Sequence, residues 1–149
     1  MQQAVSARAP AHLWIVGILS LLWNAFGAYD YTMSNMHNLK YLSSMGGDPI
    51  RMLAYMESMP MYAKLGWALG VWAALLGSIL LLMRSRYALY AFTLSIVGMV
   101  LSFGGQYFGP PQPAEMTAGA MKYVPMVIVL LALIQAWYAW RETKAGVLR

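Results

Sequence analysis

Four runs of apolar residues, at 12–31, 61–83, 87–107 and 121–140, alternate along the chain with shorter polar segments. Each run is about 20 residues long, the length an α-helix needs to cross the roughly 30 Å hydrocarbon layer of a bilayer. Charged side chains occur only toward the ends of the runs, as Asp30, Lys64 and Lys122. The pattern predicts an all-α polytopic membrane four-helix bundle, built as a single transmembrane domain over residues 1–149.

Small residues recur at helical 3/4 spacing in three of the runs. They are Gly17, Ser20, Asn24 and Gly27 in the first, Gly66, Gly70, Ala73 and Gly77 in the second, and Ala91, Ser95, Gly98, Ser102 and Gly105 in the third. Small side chains let membrane helices approach until their backbones touch, so these stripes are the expected packing faces. The fourth run is rich in Val, Ile and Leu instead, and is expected to be the helix most exposed to lipid.

The polar segments are unequal. Arg84-Ser85-Arg86 is a tight turn that forces the second and third runs into an antiparallel hairpin. Residues 32–60 are too long for a turn. There Asp48-Pro49 reads as the N-cap and first position of a short helix, and Ser34–Ser44 as another, which together predict an external helical cap with short amphipathic helices. Gly104-Gly105 and the prolines after Gly109 close the third run in a rigid external loop, since neither residue type continues a helix cheaply.

Composition narrows the function. The chain has 149 residues, 60% of them hydrophobic and 10% charged, so four spans leave no room for a soluble catalytic domain. It has no cysteine and two histidines, His12 and His37, which disfavours thiol chemistry, iron–sulfur clusters and a haem held by two histidines. The net charge of +5 does not indicate nucleic acid, because it is segregated by side. Arg8, Arg84, Arg86, Arg141, Lys144 and Arg149 fall on one side with Glu142 the only acid, while Lys40, Arg51, Lys64 and Lys122 on the other are balanced by Asp30, Asp48, Glu57 and Glu115. By the positive-inside rule both termini are expected in the cytoplasm, with the basic face against anionic lipid. Ala9-Pro10-Ala11 precedes the first apolar run rather than following it, so that run is expected to act as an uncleaved anchor. Short loops and the lack of sorting motifs suit a bacterial inner membrane.

Few side chains carry candidate chemistry. Asn24 is the one strongly polar group well inside a span, and a buried amide in hydrocarbon must find partners. It is expected to bond across helices, to Ser102 or to backbone near Gly70, with a contact on a solute path as the alternative. Asp30 is expected level with Lys64 and Lys122, forming an interface ion pair. Gln106 and Gln135 are expected to reach water or cap their helices. Seven of the thirteen methionines fall between Met33 and Met61, and thioethers beside His37 suit copper(I). Packing beneath an amphipathic cap accounts for the same residues, so no metal ligands and no cofactor are assigned.

Trp23-Asn24-Ala25-Phe26-Gly27-Ala28-Tyr29-Asp30-Tyr31, with Trp67-Ala68-Leu69-Gly70-Val71-Trp72 and Leu76-Gly77-Ser78, resembles a family of small four-span bacterial inner-membrane proteins over nearly the whole chain. Some members carry the label sugar transporter, which names no substrate residues to carry over. The methionine-rich segment departs from that family's pattern. The expected function is a non-enzymatic accessory protein or subunit that associates with itself or a larger membrane complex through its small-residue faces. The alternative is an oligomeric small-solute carrier with Asn24 and Asp30 on its path.

The charge segregation makes a testable statement about topology. A reporter fused after Arg149 should be active in the cytoplasm, and one inserted at 108–120 should be active only outside. Cytoplasmic activity from the second fusion would reverse the assignment.

Overall fold

The structure, a computed structural model, describes residues 8–149; the rest of the expected polar N-terminal tail, residues 1–7, lies outside the described residues. Four long helices, α1 (Ala11–Asn35), α4 (Met61–Leu82), α5 (Tyr87–Phe108) and α7 (Val124–Lys144), are joined by short helices α2 (Leu39–Ser44), α3 (Pro49–Ser58) and α6 (Ala114–Thr117). A 3-10 turn at Gly119–Tyr123 leads into α7. All four long segments are long and apolar enough to cross a membrane, and no strand occurs among the described residues. The chain is an all-α bundle of membrane-spanning helices with a small helical cap at one end.

Local sequence explains the helix boundaries. Pro10, Pro60 and Pro113 occupy the N-cap positions of α1, α4 and α6 in extended conformation. The Asp48 carboxylate accepts from the Ile50 amide at 3.0 Å, with Pro49 in the first turn of α3, as the sequence predicts. The helix expected over 34–44 is divided instead. α1 continues to Asn35, His37 takes a left-handed conformation with φ 55°, and Asn38 caps α2 by accepting from the Tyr41 amide at 3.0 Å.

Three helices end in the same way. The amides of His37 and Asn38 reach back to the carbonyls of Ser34 and Met33 at 3.1 and 3.2 Å. Those of Arg84 and Ser85 reach Leu81 and Leu80 at 3.0 and 2.8 Å, and those of Gly146 and Val147 reach Thr143 and Glu142 at 3.1 and 3.0 Å. This paired closure satisfies the carbonyls of the last helical turn and needs a left-handed residue just past the helix. Glycine supplies it at Gly146 (φ 72°), whereas His37 and Arg84 adopt it with a side chain.

The tightest packing is between α4 and α5. A methyl group built on Gly66 would lie 2.6 Å from Leu101 Cβ and 2.7 Å from the Gly98 carbonyl. One on Gly98 would run into the backbone of Gly70. Between these contacts the Ser95 hydroxyl donates to the Gly70 carbonyl at 2.8 Å. Toward one end Gly77 faces the ring of Phe92, with Cδ1 2.7 Å from where its Cβ would be, and toward the other Gly105 meets Ala63. On the far side of α4, Gly17 of α1 packs on Leu82 at 2.5 Å by the same measure. Gly27 differs from its neighbours on the stripe: nothing lies within 4 Å of its Cβ position, so it makes no close helix contact, and Ala28 is the buried residue at that level.

α1 packs on α4, α4 on α5 and α5 on α7, and α7 meets α1 again through side-chain bonds. α7 is fully buried only in its C-terminal half, at Gln135, Tyr138, Ala139 and Glu142. Of its apolar window 6% is buried, against 28–39% for the other three, so it is the most exposed helix of the bundle. Past Gly146 the chain turns back. Val147 and Leu148 enter a core with Leu13, Leu81, Phe92 and Tyr138, and Arg149 exchanges backbone hydrogen bonds of 2.8 and 2.9 Å with Arg84 and Arg86. This closes the bundle at the end opposite the cap, a feature that polar residues after an apolar run did not announce.

At the α4–α5 seam, Gly66→Leu or Gly98→Leu should destabilise the protein by about 1–3 kcal/mol, because added bulk separates touching backbones. Val127→Leu, on the exposed face of α7, should change stability by no more than about 0.5 kcal/mol. Thermal unfolding in detergent measures the contrast. Equal tolerance at all three positions would show that the seam does not hold the bundle.

Candidate functional site

Polar groups collect at three levels. Near the middle, the Asn24 amide of α1 points at the Ser78 hydroxyl (2.8 Å) and the Ala74 carbonyl (3.2 Å) of α4, and at the Gln135 side-chain oxygen of α7 (3.3 Å). Asn24, Ser78 and Gln135 are all buried. Apolar helices force this convergence, since an amide in hydrocarbon has no water to bond and its partners must come from neighbouring helices. The expected interhelical bond is thus present but with other partners. Ser102 lies instead in the α4–α5 seam, its amide 2.8 Å from the Cβ position of Gly66, and Gly70 is covered by α5. Gln135, expected near water or capping a helix end, is buried in the bundle.

A second level lies toward the end opposite the cap. His12 Nδ1 and the Tyr138 hydroxyl share a hydrogen bond of 2.6 Å, tying α1 to α7. One turn further, the Glu142 carboxylate is nearly enclosed and pairs with the Arg141 guanidinium at 3.0 Å. Gln135, Tyr138 and Glu142 recur at intervals of three and four, a polar stripe on one face of an otherwise apolar helix. That spacing is the sequence signal for this buried face of α7; it says nothing of Ser78 or Ala74, the partners of Asn24 on α4.

The third level is the cap. The Asp30 carboxylate accepts from the Tyr41 hydroxyl of α2 at 2.7 Å. It does not form the expected ion pair: the Lys64 ammonium donates to the Glu57 carbonyl at 2.8 Å, and Lys122 lies over the Tyr123 ring at 4.9 Å. The reason is α1's extra turn, which brings α2 rather than the lysines over Asp30. Loss of solvent, then the adjoining Asp30 carboxylate, pushes the Tyr41 phenol well above its usual range. Asn24, Asp30, Lys64 and Ser102, the four sequence candidates, are therefore not brought together into one site.

Beneath the cap lies a cavity of about 100 Å³, lined in part by Asp30, Ser34, Tyr55, Trp67 and Gln106 and by the thioethers of Met45, Met52, Met56, Met59 and Met116. The Tyr55 hydroxyl is buried there without a hydrogen-bond partner, and burial raises its pKa. A neighbouring cavity of about 80 Å³ shares Met56, Met59 and Trp67 and adds His37. α3 is held over both by the Arg51–Glu115 ion pair to α6 at 3.3 Å. Among the described residues no three His, Cys, Asp or Glu side chains gather where a metal ion could bind them. No protein-family model, curated protein or solved structure matches the chain.

If the central bond is made in the membrane, Asn24→Ala and Gln135→Leu should each lower stability by about 1 kcal/mol and the double variant by less than their sum. Ser102→Ala combined with Asn24→Ala should be additive. Strict additivity between positions 24 and 135 in detergent unfolding would show that they do not interact.

Proposed function

We propose that the protein is a non-enzymatic multi-pass membrane protein acting as an accessory protein or subunit of a membrane assembly, in a bacterial inner membrane with both termini in the cytoplasm. The observation that carries the reading is the closed bundle centre. Asn24, the residue on which a solute path would depend, has its amide turned onto Ser78, Ala74 and Gln135, and it lines neither cavity. The end opposite the cap is closed by Val147 and Leu148. A structural lock at mid-membrane with a plugged end supports a fixed scaffold over a moving carrier.

Association through the small-residue faces has to be revised within this reading. Gly66, Gly70, Gly77, Gly98 and Gly105 are covered by helices of the same chain. The stretch without such cover is the first half of α7, where no residue from 121 to 134 is buried. A second reading, a small-solute carrier with sugars as one candidate class, is favoured by the cavity under the cap, which places Asp30 and Gln106 beside open volume.

Purification in mild detergent with mass spectrometry separates the two. The subunit reading expects a defined co-purifying membrane protein or a stable homo-oligomer, and expects Asn24→Ala to preserve it. Uptake of a labelled sugar by the protein alone in liposomes, lost in a stably folded Asp30→Asn variant, would overturn it in favour of the carrier.

A further inference from the structure

The cap brings together side chains that are separate in the sequence and share one chemical character. His37, Met56, Met59 and Trp67 line a single cavity of about 80 Å³. Met56 lies in the last turn of α3, Met59 follows that helix in extended conformation, and Trp67 rises from the second turn of α4. His37 is held at the break after α1 by its own amide bond to the Ser34 carbonyl and by that of Asn38 to the Met33 carbonyl, in a left-handed conformation that histidine adopts more readily than most residues. We propose that this cavity binds one monovalent soft metal ion, copper(I), through the thioethers of Met56 and Met59 and the imidazole of His37, with the indole of Trp67 facing the ion.

The donor set decides the class of ion. Thioether sulfur is neutral and polarisable; it holds copper(I) or silver(I) and binds zinc, magnesium or calcium poorly. Imidazole is compatible with copper, and an aromatic face stabilises a cation through its quadrupole. Lys64 and Glu57 also line the cavity and offset one another in charge, with the Lys64 ammonium turned onto the Glu57 carbonyl. Met45, Met52 and Met116 line the adjoining cavity, which shares Met56, Met59 and Trp67. Further thioethers therefore stand next to the first set, an arrangement that suits ligand-by-ligand exchange of a soft ion. The inference holds for a subunit and for a carrier alike.

The test uses the full chain in detergent, titrated with silver(I) in chloride-free buffer and with copper(I) under ascorbate against a colorimetric copper(I) chelator. One ion per chain is expected, with quenching of tryptophan fluorescence that Trp67→Phe removes and with no competition from zinc. Met56→Leu/Met59→Leu should weaken binding by about tenfold or more, at least the effect of losing a supporting ligand contact. His37→Asn, which keeps a residue tolerant of the left-handed backbone, should weaken it independently. Met83→Leu, at the far end of α4, should leave it unchanged. Helicity by circular dichroism reports whether each variant is folded; if the double methionine variant is not, His37→Asn decides. Absence of binding by the parent protein, or full affinity in folded His37→Asn, would overturn the proposal.

Discussion

In a bilayer the lipid tails are as apolar as leucine, so no hydrophobic force draws one helix toward another, and close backbone contact has to hold the bundle. Here that contact is the seam where Gly66 and Gly70 of α4 meet Gly98 of α5 with no space for even a methyl group between them. The Ser95 hydroxyl on the Gly70 carbonyl fixes the register of the pair. The Arg84-Ser85-Arg86 turn makes the two helices a hairpin, so the seam forms between segments already near each other. α1 then adds along the other side of α4, and α7 along α5.

Polar bonds supply what close packing leaves open. α7 carries a shorter run of small residues, Ala132, Ala136 and Ala139, and is fully buried only from Gln135 onward. Its attachment to α1 rests on the Gln135–Asn24 bond, between two buried side chains that would be costly to leave unpaired, and on the bond of the buried Tyr138 to the exposed His12. The backbone bonds of Arg149 with Arg84 and Arg86 attach the end of the chain to the α4–α5 turn. A helix bound most firmly at its C-terminal end follows from that distribution of polar residues.

The cap is built on different terms. Its helices are short, and their stability comes from Leu42, Met52, Tyr55 and Met59 buried against the bundle. Methionine, unbranched and flexible, fills such irregular volume and leaves sulfur lining what remains. The same property that makes it a packing residue makes it a soft ligand when an imidazole and an indole stand beside it, as His37 and Trp67 do.

The number of long helices, the hairpin turn, the exposure of the fourth span and the Asp48-Pro49 start of α3 were legible in the sequence, because each depends on residues close together in the chain. Hydropathy over about 20 residues, a capping side chain and a proline act locally. The partners of Asn24 were not legible. Ser78 and Ser102 are equally plausible serines on apolar helices, and only the azimuth at which α1 meets α4 chooses between them. Asp30 met Tyr41 instead of Lys64 for a related reason: α1 ran one turn further than its apolar run and carried α2 over the carboxylate. The grouping of His37 with Met56, Met59 and Trp67 likewise joins three elements whose relative placement no local pattern encodes. Sequence determined which segments become helices and which faces are small enough to touch. Tertiary structure decided which polar groups meet, since that depends on helix rotation and length summed over contacts distant in the chain.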